Sequence, residues 1–156
     1  MNQKLIDVIL VNHNSAQLIE NSLNSIFSVN SQLLNRISIV DNSCNFVLKS
    51  SLSSLVDIEV LQSGGNFGFA KANNLAAGKC DSEYICFLNP DTLVNQDFFS
   101  PILRFIESNP LAGACAPRLV YSDGSYQDSS GSKMDLWYEF LEATMLISII
   151  RKIQRN

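Results

Sequence analysis

Residues 84–95 read YICFLNPDTLVN. The run begins with five mostly apolar side chains, Tyr84 to Leu88, and stops at Asn89-Pro90-Asp91-Thr92. A short continuous apolar run closed by turn residues predicts a buried strand. Pro90 has no N–H to give to a sheet ladder, so the strand must end there. A strand buried on both faces belongs in a parallel sheet covered by helices on each side. The carboxylate of Asp91 then stands at the strand's tip. It is either part of a plain turn, since Asn, Pro, Asp and Thr all favour turns, or part of a ligand site, since open α/β sheets bind ligands at the carboxyl ends of their strands.

Outward from this segment the chain alternates. Toward the N-terminus, residues 5–11 form an apolar run broken only by Asp7, which predicts a first strand. Ser15 is placed to cap a helix running to about Phe27, with Leu18, Ile19, Leu23, Ile26 and Phe27 on one stripe. A second short strand is expected over 37–40, followed by Asp41-Asn42-Ser43, then a helix over 46–56 and a third strand over 58–61. Gly64-Gly65-Asn66-Phe67-Gly68 reads as a loop, and residues 69–79 as a helix closed by Gly78. After the NPD turn a helix is expected over 98–108, where Pro101 is tolerated in the first turn, and then an extended run over 112–121. Strands alternating with helices predict a three-layer, Rossmann-like α/β domain with a mostly parallel sheet and right-handed crossovers. The expected division is a domain over 1–121, a Ser-, Gly- and Asp-rich loop over 122–133, and a C-terminal amphipathic helix over 134–156.

Composition narrows the function. The chain has 156 residues, 46% of them hydrophobic, enough for one domain with a real core. A net charge of -4 argues against a general nucleic-acid surface. An anionic ligand therefore needs local help from a metal ion, a helix N-terminus or a few placed cations. The four cysteines include no C-x-x-C pair and there is a single histidine, which argues against zinc. Cys86 and Cys115 fall in apolar stretches and read as buried thiols. With too short an apolar run for a signal peptide in MNQKLIDVILVNHN, the expected compartment is the reducing cytoplasm.

Three polar clusters follow three separate strands: Asn12-His13-Asn14, Asp41-Asn42-Ser43 and Asn89-Pro90-Asp91. In a parallel sheet the three strand ends share one edge, so the clusters can converge on a ligand. The glycine loop is neither a GxGxxG nor a P-loop match.

Taken in order, VILVNHNSAQLIENSLNSI, IVDNS, GGNFGFAKANNLA and YICFLNPDT resemble successive blocks of the family 2 glycosyltransferases, and are most similar to the rhamnosyltransferase-like branch. GACAPRLVYSDGSYQDSS resembles the segment that follows the NPD helix there. The resemblance implies a GT-A fold that holds a nucleotide-diphosphate sugar, dTDP- or UDP-linked, for transfer to a cell-surface polysaccharide. It places Asn12, His13 and Asn14 at the nucleobase, with the His13 ring stacking against it; a solvent-exposed loop histidine is the plainer alternative. It gives Asp41 the base or ribose, with a helix cap as the alternative. It puts Asn66, Gly68, Lys71 and Asn74 beside the nucleotide and sugar: Lys71 near a phosphate, or simply solvated, and Asn74 on the sugar, or tying down a loop. Asn89 and Asp91 match the family's DxD-type motif. Asp91 is then the single strong ligand for a divalent cation, Mg²⁺ or Mn²⁺, which would bridge the phosphates. Arg118 is read as structural.

The resemblance stops short of an acceptor site. Complete members are longer and carry a general base in an acidic motif. Asp123, Asp128, Asp135, Glu139 and Glu142 form no such motif here. No catalytic residue is assigned, and the alternative is a truncated, catalytically silent or partner-dependent nucleotide-binding module. In MDLWYEFLEATMLISIIRKIQRN, Leu136, Trp137, Phe140, Leu141, Ile147, Ile150 and Ile153 recur near helical spacing, with Arg151, Lys152 and Arg155 at the end. Such a helix can pack on the sheet, on a second copy of the chain or on a separate second half. It can equally lie on the inner face of a membrane. Glu139 and Glu142 exclude a transmembrane span.

Overall fold

A computed structural model describes residues 5–29, 31–47 and 56–127. The chain divides into two compact units, Met1–Cys115 and Ala116–Asn156. The expected helix over 134–156 lies outside the described residues, as does most of the helix expected over 46–56.

The first unit is an α/β sheet sandwich with a parallel sheet. Its elements run β1 (Ile6–Asn12), α1 (Ala16–Val29), β2 (Leu34–Asp41), β3 (Asp57–Gln62), α2 (Phe69–Ala77), β4 (Tyr84–Phe87) and α3 (Phe99–Ser108). The strands lie in the order β3-β2-β1-β4, and every pairing is parallel. β1 is flanked on both sides and all seven of its residues are buried, which is why its sequence reads as an almost unbroken apolar run.

Alternate residues of the sheet feed two cores. Val8 and Leu10 of β1 and Ile37 and Ile39 of β2 pack with Ile19, Leu23 and Ile26 of α1 and Phe99 and Leu103 of α3. Ile9, Val11, Val40 and Leu61 face the other way, against Ala72 and Ala76 of α2. Small alanines at those two positions let α2 sit close to the sheet. The result is three layers, as predicted.

Asp7 interrupts β1 without leaving a buried charge unpaired. Its carboxylate accepts from Asn35 Nδ2 and Ser82 Oγ, each at 3.0 Å, and from the N–H groups of Asp81 at 3.2 Å and Ser82 at 3.3 Å. Burial pushes this carboxyl up, but those hydrogen bonds outweigh it and the pKa is lowered.

The four strands and the helices at α1, α2 and α3 lie where they were expected, with β2 beginning at Leu34 rather than Ile37. β4 is a four-residue edge strand with Ile85 and Phe87 exposed rather than a buried one, because only β1 flanks it. The run over 112–121 forms no strand beyond a bridge at Val120. Phe46 and Val47 are irregular rather than helical, and the Phe46 N–H donates to the Asp41 carboxylate at 2.8 Å. Cys86 is part-buried in β4, and burial pushes its thiol up to about 11, so it is a protonated, unreactive thiol at neutral pH. In the second unit, Val120 and Tyr126 form an antiparallel bridge around a turn at Gly124. There the Arg118 guanidinium lies 4.1 Å from the Tyr126 ring centroid, consistent with a structural role. Among the described residues no helix is long and apolar enough to cross a membrane.

Candidate functional site

The strand order fixes where a ligand crevice belongs. The chain proceeds from β1 outward through β2 to β3, then returns to place β4 on the opposite side of β1. The strand order thus reverses between β1 and β4, whose carboxyl ends share one sheet edge, and ligands of open α/β sheets bind at such a reversal point. The segments flanking it are Asn12-His13-Asn14 after β1 and Asn89-Pro90-Asp91 after β4.

Asn12 and Asp41 are register partners at the tips of β1 and β2, and both are fully buried. Asn12 Nδ2 donates to Asp41 Oδ1 at 2.7 Å and to Ser43 Oγ at 2.8 Å. Asn12 Oδ1 accepts from the Ser15 N–H at 3.0 Å and the Ser15 hydroxyl at 3.1 Å. The Ser15 hydroxyl thus turns back to the strand tip at the start of α1. Asp41 Oδ1 also accepts from the Ser43 N–H at 3.0 Å and Ser43 Oγ at 2.7 Å, while Oδ2 takes the Phe46 N–H. Burial alone would push this carboxyl up. The Phe46 amide, Ser43 hydroxyl, Asn12 amide and Ser43 N–H overcome it and hold the pKa at about 2. A carboxylate ionised at neutral pH and held by four hydrogen bonds therefore underlies the β1–β2 edge.

His13 and Asn14 are exposed above this network, and Asn14 takes a left-handed φ of 56° that Asn tolerates. Their side chains are thus presented to solvent just beyond the tip of β1. On the far side of β2, the glycine block leads into α2. Asn66 Oδ1 accepts the Gly68 N–H at 3.0 Å, closing a small turn. Gly64 and Gly68 both have φ of 79°, which explains glycine at those positions. The Lys71 ammonium lies 4.1 Å from the Phe67 ring centroid, and both side chains are exposed. Asn74 is exposed on α2. No side chain caps the N-terminus of α2.

Beyond β4, the Leu88 N–H still bonds to the Ile9 carbonyl at 2.9 Å. The Thr92 N–H then closes a turn on the Asn89 carbonyl at 3.1 Å. Val94 is buried in the core and its N–H donates to Ser25 Oγ on α1 at 3.0 Å. Anchored on both sides, the turn holds Asp91 exposed, with no hydrogen bond or ion pair to its carboxylate among the described residues. Those residues also contain no cluster of three or more His, Cys, Asp or Glu that could enclose a metal. An unengaged single carboxylate fits a cation that takes one protein ligand and draws the rest of its shell from phosphates and water.

The structure thus brings Asn12, Asp41 and Ser43 into one hydrogen-bonded unit, and Asn66 and Gly68 into another. Asn89 and Asp91 stand at the same sheet edge with no hydrogen bond to either. Two functional-looking features were missed by reading the sequence: Ser15 as the support of Asn12, and Asn42 as a buried side chain. The Ser15 contact is local, an Asn side chain accepting from the serine three residues on, whereas the burial of Asn42 depends on which strand tips become neighbours.

Comparison with known proteins follows the same lines. The profile of the family described as Glycosyl transferase family 2 matches residues 7–155. The rhamnosyltransferase WbbL of Escherichia coli strain K12 is 25% identical over 149 residues, covering 91% of this chain and 55% of that protein. The chain thus spans about half the length of this curated relative. Two crystal structures of S. aureus TarS, one of residues 1–349, share the fold at 18% identity. They have TM-scores of 0.57 and 0.58, each covers 76% of this chain, and the match spans 24% and 40% of their own chains.

Proposed function

The chain belongs to glycosyl transferase family 2, and from that premise we propose that its first unit is the donor-binding domain of a sugar transferase. The substrate is a nucleotide-diphosphate sugar, dTDP- or UDP-linked, and the transfer is to a cell-surface polysaccharide acceptor. The similarity to a rhamnosyltransferase favours a deoxyhexose donor. The observation that carries the reading is Asp91, exposed after β4 next to the point where the strand order reverses, with no hydrogen bond or ion pair to its carboxylate among the described residues.

In this proposal Asn12 and Asp41 shape the floor under the nucleobase and ribose. His13 and Asn14 meet the base from the rim. Asn66, Gly68, Lys71 and Asn74 border the phosphates and sugar, with Lys71 leaving the Phe67 ring for a phosphate oxygen. That exchange is feasible because an exposed cation–π contact is worth only about 0.5–1 kcal/mol. Asp91, with Asn89 beside it, would hold a divalent cation, Mg²⁺ or Mn²⁺. Such a cation neutralises charge on the departing diphosphate. Pro90 ends the strand and puts the carboxylate where a charge-bearing leaving group would need it.

The test is calorimetric titration of the chain with UDP and dTDP, with and without Mn²⁺. Binding should be metal-dependent, and Asp91→Ala should abolish the metal dependence while leaving the melting temperature unchanged, since Asp91 is exposed and its carboxylate makes no hydrogen bond or ion pair among the described residues. Absence of binding to either nucleotide would refute the proposal.

A further inference from the structure

Asn42 is buried at this edge, between the tips of β1 and β2 and the start of α2. It is 4% exposed. Its backbone N–H donates to the Asn12 carbonyl at 2.9 Å, which fixes it at the tip of β2 against β1. Its side-chain Nδ2 donates to the Gly68 carbonyl at 3.4 Å. That same carbonyl receives the Ala72 N–H at 3.2 Å, the first helical hydrogen bond of α2. Among the described residues this is the one hydrogen bond joining the strand tips to residues 66–69. A carbonyl only accepts, so the amide nitrogen of Asn42 must face Gly68, and this settles which way the amide points. Its oxygen is buried and accepts no hydrogen bond from the described residues.

That arrangement is costly. A buried amide oxygen without a donor destabilises the fold, whereas an apolar side chain of the same shape would not. A long hydrogen bond to one carbonyl is a poor return in stability. What the side chain does secure is position. Ser63 holds Gly65 to the Asp41 carbonyl and α2 packs on the sheet through Ala72 and Ala76, but among the described residues only Asn42 bonds Gly68 itself to a strand tip. Gly68 has open space where a Cβ would stand, and the first-turn amides of α2 have no side-chain cap. Those amides attract negative charge only if the turn is held in place.

We infer that Asn42 is a positioning residue for the nucleotide: it ties the start of α2 to the tip of β2 so that the open amides of that turn stand ready for the donor's diphosphate. The inference rests on the donor-site reading above. Asn42 need not touch the ligand; it acts through Gly68.

The test is Asn42→Leu in the full chain, because leucine matches asparagine in shape and removes both the tie and the buried oxygen. Three readouts are taken: thermal melting, hydrogen exchange at the Ala72 amide, and titration with UDP and dTDP in Mn²⁺. The expected result is a melting temperature equal to or above the wild type. Exchange at Ala72 should be faster, and nucleotide affinity weaker by about tenfold, equivalent to about 1.4 kcal/mol. A variant that binds as tightly as the wild type, keeps its Ala72 protection, or loses affinity only in step with a falling melting temperature would overturn the inference. If the wild type itself binds neither nucleotide, the donor-site reading fails first and this inference falls with it. Should Asn42→Leu not fold, Asn42→Ser, too short to reach Gly68, is judged by the same readouts.

Discussion

Replacing Asp41 by asparagine isolates the energetics of the β1–β2 edge. The side chain keeps its size and one acceptor oxygen, but its new NH₂ group meets the Phe46 N–H, donor against donor. The wild-type carboxyl has its pKa lowered from 3.8 to about 2. A shift of that size corresponds to about 2 kcal/mol favouring the ionised, folded form. The sign follows from linkage. A depressed carboxyl contributes its full stability above the unfolded value of 3.8 and loses it as pH falls through the folded value of about 2. By pH 3 about 1 kcal/mol should be gone. Asparagine does not titrate, so the variant has no such loss from this position. Asp7 also has a lowered pKa, but it is present in both proteins and cancels in the difference. Urea unfolding followed by far-UV circular dichroism, at pH 6, 4 and 3, should therefore show Asp41→Asn less stable by about 2 kcal/mol at pH 6. The gap should narrow by about half at pH 3. A gap that stays constant or widens with acid would refute the account of Asp41 as an ionised anchor.

Two further outcomes follow from packing and backbone geometry. Leu23 is fully buried between α1 and the sheet, so Leu23→Ala should cost about 2–5 kcal/mol in the same urea assay; a loss below 1 kcal/mol would mean that α1 is not packed as described. Gly64 has a φ of 79° and nothing within 4 Å of a would-be Cβ. Gly64→Ala should therefore cost only its backbone strain, about 1 kcal/mol, by the shift of the unfolding midpoint, and a much larger loss would point to a steric contact that the loop does not show.

The alternation of strands and helices was legible because β1 and the core of β2 are buried on both faces and leave apolar runs that need no partner to be recognised. Element ends were less legible, for a physical reason. Asn35 and Arg36 look like loop residues, yet they lie inside β2. Asn35 donates to Asp7, and Arg36 pairs with Asp57 at 3.3 Å and donates to the Lys79 carbonyl at 3.2 Å. Their polarity is satisfied by neighbouring strands and loops, and hydropathy along one strand cannot register that.

The candidate site follows the same logic at finer scale. Sequence order places Asn12, Asp41 and Asp91 each at a strand tip, and in a parallel sheet tips share an edge. What it cannot supply is the register that sets Asn12 opposite Asp41, and hence the distinction between carboxylates of the same apparent kind. Asp41 and Asp91 both follow an apolar strand and both read as ligand contacts. The folded chain separates them: Asp41 accepts four hydrogen bonds and is fully buried, while Asp91 accepts none from the described residues and is exposed. A carboxylate already satisfied by its own chain gains little from a cation, whereas an unsatisfied one at the same edge is free to bind it. The division of labour between a carboxylate that builds the site and one that serves it thus arises from the pairing of β1 with β2, and from β4 ending at a proline.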